Sequence, residues 1–182
     1  CLFVVCCVWP IQADELCAIP LKGTNGLGHL QTRLFAAGDP GTAGEGLFSY
    51  QYRFNFFDVV VTTPPVECVI SIAIPFGEIA PLDYDEDGEP DDLYVIQGTS
   101  GPPHLSGAEQ LADVTVVFAL ATPLCPGEES GSYFVGFASA TRSIDSEANV
   151  GVRESCSGAS SEYVVYTRTP GHFMYLPLVG RE

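Results

Sequence analysis

Basic residues are scarce in this sequence. Its 182 residues include seven Lys and Arg but 23 Asp and Glu, which gives a formal net charge of −16. Nucleic-acid binding requires a basic face, and so few basic residues cannot form one. Anionic membrane surfaces repel such a chain for the same reason. The composition therefore excludes nucleic acid as a partner and favours solubility and cation binding.

The sequence also lacks the short motifs that mark common enzyme and cofactor sites. It contains no G-x-S-x-G nucleophile elbow, no phosphate-binding glycine loop and no dinucleotide-binding fingerprint. Two of its three histidines, His104 and His172, lie in proline-containing loops without a carboxylate nearby in sequence. Hydrolysis would need a triad assembled in space, or a carboxylate pair that includes Glu78. We therefore predict that the protein is not an enzyme, and a secreted hydrolase is the least favoured alternative.

The beginning of the chain differs in composition from the rest. Residues 1–9 (CLFVVCCVW) form an uncharged apolar run, and residues 10–13 (PIQA) follow it and end at the small residue Ala13. This pattern is typical of a secretory signal peptide, truncated at its start and cut after Ala13. The run is too short to span a bilayer. We expect a signal peptide over 1–13 and one secreted domain over 14–182, with no membrane span in the mature chain. A first apolar strand and a lipidated Cys1 are the alternatives.

Four cysteines follow the predicted signal peptide: Cys17, Cys68, Cys125 and Cys156. An even number of cysteines in an exported chain predicts two disulfides. The spacings contain no C-x-x-C pair and no Cys/His cluster, which argues against a structural zinc site. Three pairings are open, and we predict the one between neighbours along the chain, Cys17–Cys68 with Cys125–Cys156. Alternation places Cys68 on the same side of a predicted central strand as Val66, Ile70, Ile72 and Ile74, so we expect its partner to be reached through the core.

The clearest strand covers residues 47–57, where large aromatic side chains alternate with polar ones. Such alternation is typical of a strand in a sheet with one buried face. The aromatic side consists of Phe48, Tyr50, Tyr52, Phe54 and Phe56, and the polar side of Ser49, Gln51, Arg53 and Asn55. Five rings on one side predict a core contribution rather than a sugar-binding platform. We expect the polar side to be a hydrated sheet surface, with ligand contacts as the alternative.

The remaining pattern predicts nine or ten short strands separated by glycine- and proline-rich turns. Residues 66–74 are predicted to form a central strand, because both of its sides are apolar. We expect loops at 98–112, with one helical turn from 107 to 112, and at 141–148. This spacing predicts an all-β fold, an antiparallel β-sandwich of the jelly-roll or immunoglobulin-like kind.

The acidic run at 83–92 (DYDEDGEPDD) is the most distinctive segment, since seven of its ten residues are acidic. These carboxylates repel one another, and a divalent cation would offset that repulsion. Asp83, Asp85 and Asp87 alternate ahead of Gly88, whose conformational freedom permits a sharp turn that would bring the three carboxylates together.

The D-x-D-x-D-G spacing resembles the calcium loops of EF-hands, dockerins and thrombospondin type 3 repeats. The resemblance covers residues 83–92 alone and implies a Ca²⁺ ion held by Asp83, Asp85, Asp87, Glu89, Asp91 and Asp92. It departs from the EF-hand at position 12, which is Tyr94 instead of Glu. The closing carboxylate would therefore come from Asp91 or Asp92. A solvated acidic turn is the alternative.

These features together predict a secreted β-sandwich of a bacterial cell surface, stabilised by calcium and disulfides. In general character the chain is similar to exported β-sandwich domains of bacterial surfaces. We expect it to act as a structural or binding module, with an extracellular polysaccharide or a surface protein as partner. A carbohydrate-binding module is the first alternative.

Overall fold

A computed structural model of the chain describes residues 15–35, 46–57, 59–75, 79–80, 88–89, 94–96, 105–111, 115–127 and 134–171. All regular secondary structure in these residues is β. The strands are β1 (Glu15–Pro20), β2 (Thr24–Asn25), β3 (Leu27–Phe35), β4 (Phe48–Asn55), β5 (Val60–Val61), β6 (Glu67–Pro75), β7 (Tyr94–Ile96), β8 (Leu105–Gln110), β9 (Thr115–Leu124), β10 (Phe134–Ser139), β11 (Ser143–Glu154) and β12 (Ser160–Pro170).

Two five-stranded sheets make up most of the fold. The first has the strand order β1-β3-β4-β10-β7, and the second has the order β12-β11-β6-β9-β8. Every neighbouring pair in both sheets is antiparallel. Strands β2 and β5 form a separate two-stranded sheet. The predicted all-β antiparallel sandwich is confirmed. Among the described residues, no helix is long and apolar enough to cross a membrane.

The core lies between the two sheets and contains the aromatic side of β4. Tyr50, Tyr52 and Phe54 are fully buried there, as the alternation predicted. The Tyr50 and Tyr52 hydroxyls donate to the carbonyl oxygens of Thr141 and Arg168, both at 2.7 Å. Large rings therefore fill the core while their polar ends find backbone acceptors near its edge, as buried tyrosines require.

Strand β6 is central, as predicted, but its sides differ from the predicted ones. Its pairing with β11 and β9 shifts in register around Val69–Ser71. A β-bulge of this kind reverses the alternation along a strand. Val69, Ile72 and Ile74 consequently enter the core, whereas Cys68 pairs with exposed Arg153 and belongs to the opposite side. The prediction that Cys68 shares a side with Ile72 and Ile74 is wrong for this reason.

Two of the predicted loops contain strand. Residues 105–110 form the edge strand β8 instead of a loop with a helical turn, and they pair with β9. The polar segment 143–148 is the first half of β11, where it pairs with β12. Tertiary pairing outweighs weak local propensity in both segments. The predicted signal peptide at 1–13 lies outside the described residues.

Candidate functional site

The acidic segment connects the two sheets. It follows β6, in the middle of the second sheet, and precedes β7, at the edge of the first. The bridge between Ala80 and Ala138 fixes the chain against β10 just ahead of it. Gly88 has a φ of 95°, a conformation that a residue with a side chain rarely adopts. This agrees with the sharp turn predicted for that glycine.

Of the six predicted calcium ligands, only Glu89 lies among the described residues. Asp83, Asp85, Asp87, Asp91 and Asp92 lie outside them. Within the described ranges, no group of three or more His, Cys, Asp and Glu side chains is arranged to hold a metal ion. The calcium site therefore stays a prediction.

One disulfide joins the central strand to its neighbour within the second sheet. The sulfur atoms of Cys68 and Cys125 are 2.10 Å apart, and their Cα atoms are 4.2 Å apart. Val69 pairs with Leu124 in the antiparallel pair of β6 and β9. Cys68 precedes Val69 and Cys125 follows Leu124, so the two cysteines lie opposite each other. The predicted pairing Cys17–Cys68 with Cys125–Cys156 is therefore wrong, and the bond does not cross the core.

The other two predicted disulfide cysteines are thiols in this structure. The Cys17 thiol, on β1, donates to the carbonyl oxygen of Tyr166 on β12. Cys156 is exposed in the turn between β11 and β12, a turn that ends at Ser160. The stretch of β12 from Ser160 to Tyr166 is about 20 Å long. The two thiols are therefore too far apart to form a disulfide with each other.

The outward side of the first sheet carries a row of polar side chains, which we call the polar face. Strands β3 and β4 supply it through paired positions. Its members are His29, Gln31, Arg33, Ser49, Gln51, Arg53 and Asn55. The expectation of a hydrated surface is wrong for Ser49, Gln51 and Asn55, which are only 1%, 3% and 3% exposed. Alternation along a strand shows which side of the sheet a residue faces. It does not show whether other parts of the protein cover that side.

A hydrogen-bond network orders one end of the polar face. The side-chain oxygen of Gln31 accepts from Arg53 Nε at 2.5 Å and from Asn55 Nδ2 at 3.4 Å. Asn55 Oδ1 and His29 Nδ1 are buried and have no hydrogen-bond partner. These two residues lie directly opposite each other on β4 and β3. A buried polar atom without a partner costs about 1–3 kcal/mol of stability, so a polar group that hydrogen-bonds to this pair would bind favourably.

Two arginines of the polar face stack on one aromatic ring. The guanidinium carbons of Arg33 and Arg53 lie 4.1 and 4.6 Å from the centre of the Phe134 ring on β10. Each such cation–π contact contributes about 0.5–1 kcal/mol at a partly exposed site. The polar face thus holds two of the seven Lys and Arg side chains of a chain whose formal net charge is −16.

A buried carboxylate at the start of β6 ties three parts of the fold together. Glu67 accepts hydrogen bonds from the Lys22 backbone N–H at 3.0 Å, from the Tyr163 hydroxyl at 2.6 Å and from the Ser161 hydroxyl at 3.4 Å. Burial, and then the hydrogen bond to Glu67, raise the pKa of Tyr163 to about 12. The sequence analysis did not predict this cluster. Glu67, an acidic residue within the apolar segment 66–74, was the feature that could have indicated it.

We expect Tyr163 to ionise late in an alkaline titration. Its pKa is about 12 in the folded chain against an ordinary value of 10.0. The neutral phenol therefore stabilises the fold fully below pH 10, and this contribution is lost as the pH rises through about 12. Since Tyr163 is partly exposed, the contribution is about 1 kcal/mol. The difference in tyrosinate absorbance between the wild type and Tyr163→Phe measures this pKa.

Glu67→Gln is the matched variant for that titration. It removes the negative charge but keeps the size of the side chain, so the pKa of Tyr163 should fall towards its ordinary value while the part due to burial remains. An unchanged titration in Glu67→Gln would contradict the assigned role of this carboxylate.

Comparison with known proteins finds no match, whether among protein-family models, curated proteins or solved structures. Function must therefore be inferred from the residues themselves.

Proposed function

We propose that the chain is a secreted, calcium-stabilised β-sandwich that acts at the bacterial cell surface as a structural or binding module. The observation that carries this proposal is the position of the acidic segment, which links a central strand of one sheet to an edge strand of the other. An ion held there would stabilise both sheets at once. The positive φ of Gly88 supports the turn that such a loop needs.

The proposed ligands are the side chains of Asp83, Asp85 and Asp87, the carbonyl of Glu89, and a carboxylate from Asp91 or Asp92. Oxygen donors in this number suit Ca²⁺, which accepts six to eight ligands, better than Mg²⁺, which requires an octahedron. The segment offers no His or Cys, which disfavours softer metals.

Calorimetric titration of chelator-treated protein with calcium chloride tests the proposal. We expect one equivalent of calcium to bind, and magnesium chloride to give a much weaker response. The absence of any calcium heat would leave the segment an acidic turn and would remove the basis of this function.

The disulfide supports the extracellular part of the proposal. Disulfides form and persist in oxidising compartments and are rare in the cytosol. The Cys68–Cys125 bond is therefore consistent with an exported protein. An extracellular polysaccharide or a surface protein is the proposed partner.

Carbohydrate binding is the second candidate function, and the polar face favours it. At one end of this face Leu27 and Phe57 are each 44% exposed and lie beside His29, which places apolar surface next to polar groups that can bind sugar hydroxyls. The described residues do not include a group of three exposed rings, since Phe57 and Tyr166 are the exposed aromatic side chains among them.

We expect no hydrolytic turnover of common ester, peptide or glycoside substrates, because the sequence contains no local nucleophile or acid–base motif. Assays with chromogenic substrates of these three classes test this. Activity that disappears in His104→Ala or His172→Ala would instead favour the third candidate, a secreted hydrolase.

A further inference from the structure

We propose that His29 and Asn55, together with the neighbouring Leu27 and Phe57, form a contact site for a sugar residue of a neutral polysaccharide. This inference deepens the second candidate function, carbohydrate binding, and rests on it. The site lies where the polar face meets the end of β4.

The orientation of the Asn55 amide follows from its neighbours. The Gln31 side-chain oxygen already accepts from Arg53 Nε at 2.5 Å, so Asn55 must present its NH₂ group to that oxygen. Asn55 Oδ1 is then left as an acceptor without a donor. His29 Nδ1, on the opposite strand, has no partner either. A ligand group that pairs with these atoms must therefore be able to donate, and a hydroxyl can both donate and accept.

Apolar side chains adjoin this polar pair. Leu27 lies two residues before His29 on β3, so strand alternation places both on the same side. Phe57 follows the end of β4, and its ring centre is 5.8 Å from that of His29. Leu27 and Phe57 are each 44% exposed. A sugar residue matches this arrangement, because its hydroxyl groups can hydrogen-bond to the polar pair and its apolar ring face can pack on Leu27 and Phe57.

Charge favours a neutral ligand. The formal net charge of −16 repels anionic polysaccharides at long range, and the guanidinium groups of Arg33 and Arg53 on the polar face are already stacked on the Phe134 ring. Because Asn55 Oδ1 and His29 Nδ1 are buried, a hydroxyl reaches them only after local side-chain rearrangement, which is common when ligands bind.

Tyr166 provides a matched control on the other sheet. Its ring is 66% exposed, but its hydroxyl is hydrogen-bonded to Glu147, which raises its pKa. Tyr166 is thus an exposed ring without an unpartnered polar pair beside it.

Calorimetry with soluble oligosaccharides of cellulose, xylan, mannan and chitin tests the inference. We expect at least one of them to bind the wild type. Phe57→Ala should weaken that binding about tenfold, and Tyr166→Ala should leave it unchanged. Asn55→Leu should also weaken it about tenfold. This variant removes the hydrogen bond to Gln31 as well as the unpartnered acceptor, so its melting temperature is measured as the folding control.

The outcomes separate this site from the function on which it rests. Binding that survives both Phe57→Ala and Asn55→Leu overturns the site but leaves carbohydrate binding standing elsewhere on the chain. No binding of any of these oligosaccharides by the wild type rejects both. Since Phe57 is exposed, its variant keeps the test decisive even if Asn55→Leu fails to fold.

Discussion

Replacing Cys68 and Cys125 together with alanine is expected to lower the free energy of unfolding by about 4 kcal/mol. The bond closes a loop between residues 57 apart in sequence, and opening it restores that much conformational freedom to the unfolded chain. Because β6 and β9 stay paired through their backbones, the folded state should keep its architecture. Chemical denaturation of the wild type and the double variant measures the difference.

Cys156→Ala is the control for this experiment. Cys156 is exposed and is not disulfide-bonded, so its replacement should change stability by less than about 0.5 kcal/mol. Peptide mapping of unreduced protein should recover a fragment that joins Cys68 to Cys125. A fragment that joins Cys17 to Cys68 would contradict the structure.

Calcium is expected to raise the stability of the wild type by about 2.7 kcal/mol when it is present at a hundred times its Kd. For a chain of this size the melting temperature should rise by about 5–10 °C. Without the ion, the carboxylates of the acidic segment repel one another, and the ends of β6 and β7 that flank it should loosen. Thermal melts in calcium and in chelator measure the effect.

The double variant Asp85→Ala with Asp87→Ala should abolish the calcium effect. Glu109→Ala with Glu162→Ala removes the same charge from exposed positions on β8 and β12 and should preserve it. Equal melting temperatures of the wild type in calcium and in chelator would show that residues 83–92 form only an acidic turn.

Local patterns were sufficient for much of the fold. The alternation over 47–57 predicted a strand whose rings enter the core, and Tyr50, Tyr52 and Phe54 are fully buried. The apolar character of 66–74 predicted a central strand, and β6 is the third of five. Both predictions depend on which side chains leave water, and this can be read from spacing alone.

Sequence by itself determined the all-β class and the inward side of β4. Only the tertiary structure decided which cysteines meet, because that depends on β6 and β9 being neighbours and on the bulge that reverses the alternation near Cys68. It also decided that Asn55 is buried, and that its oxygen and His29 Nδ1 lack partners. Strand order and the covering of a sheet depend on contacts between residues far apart in the chain. These contacts cannot be predicted from local residue spacing.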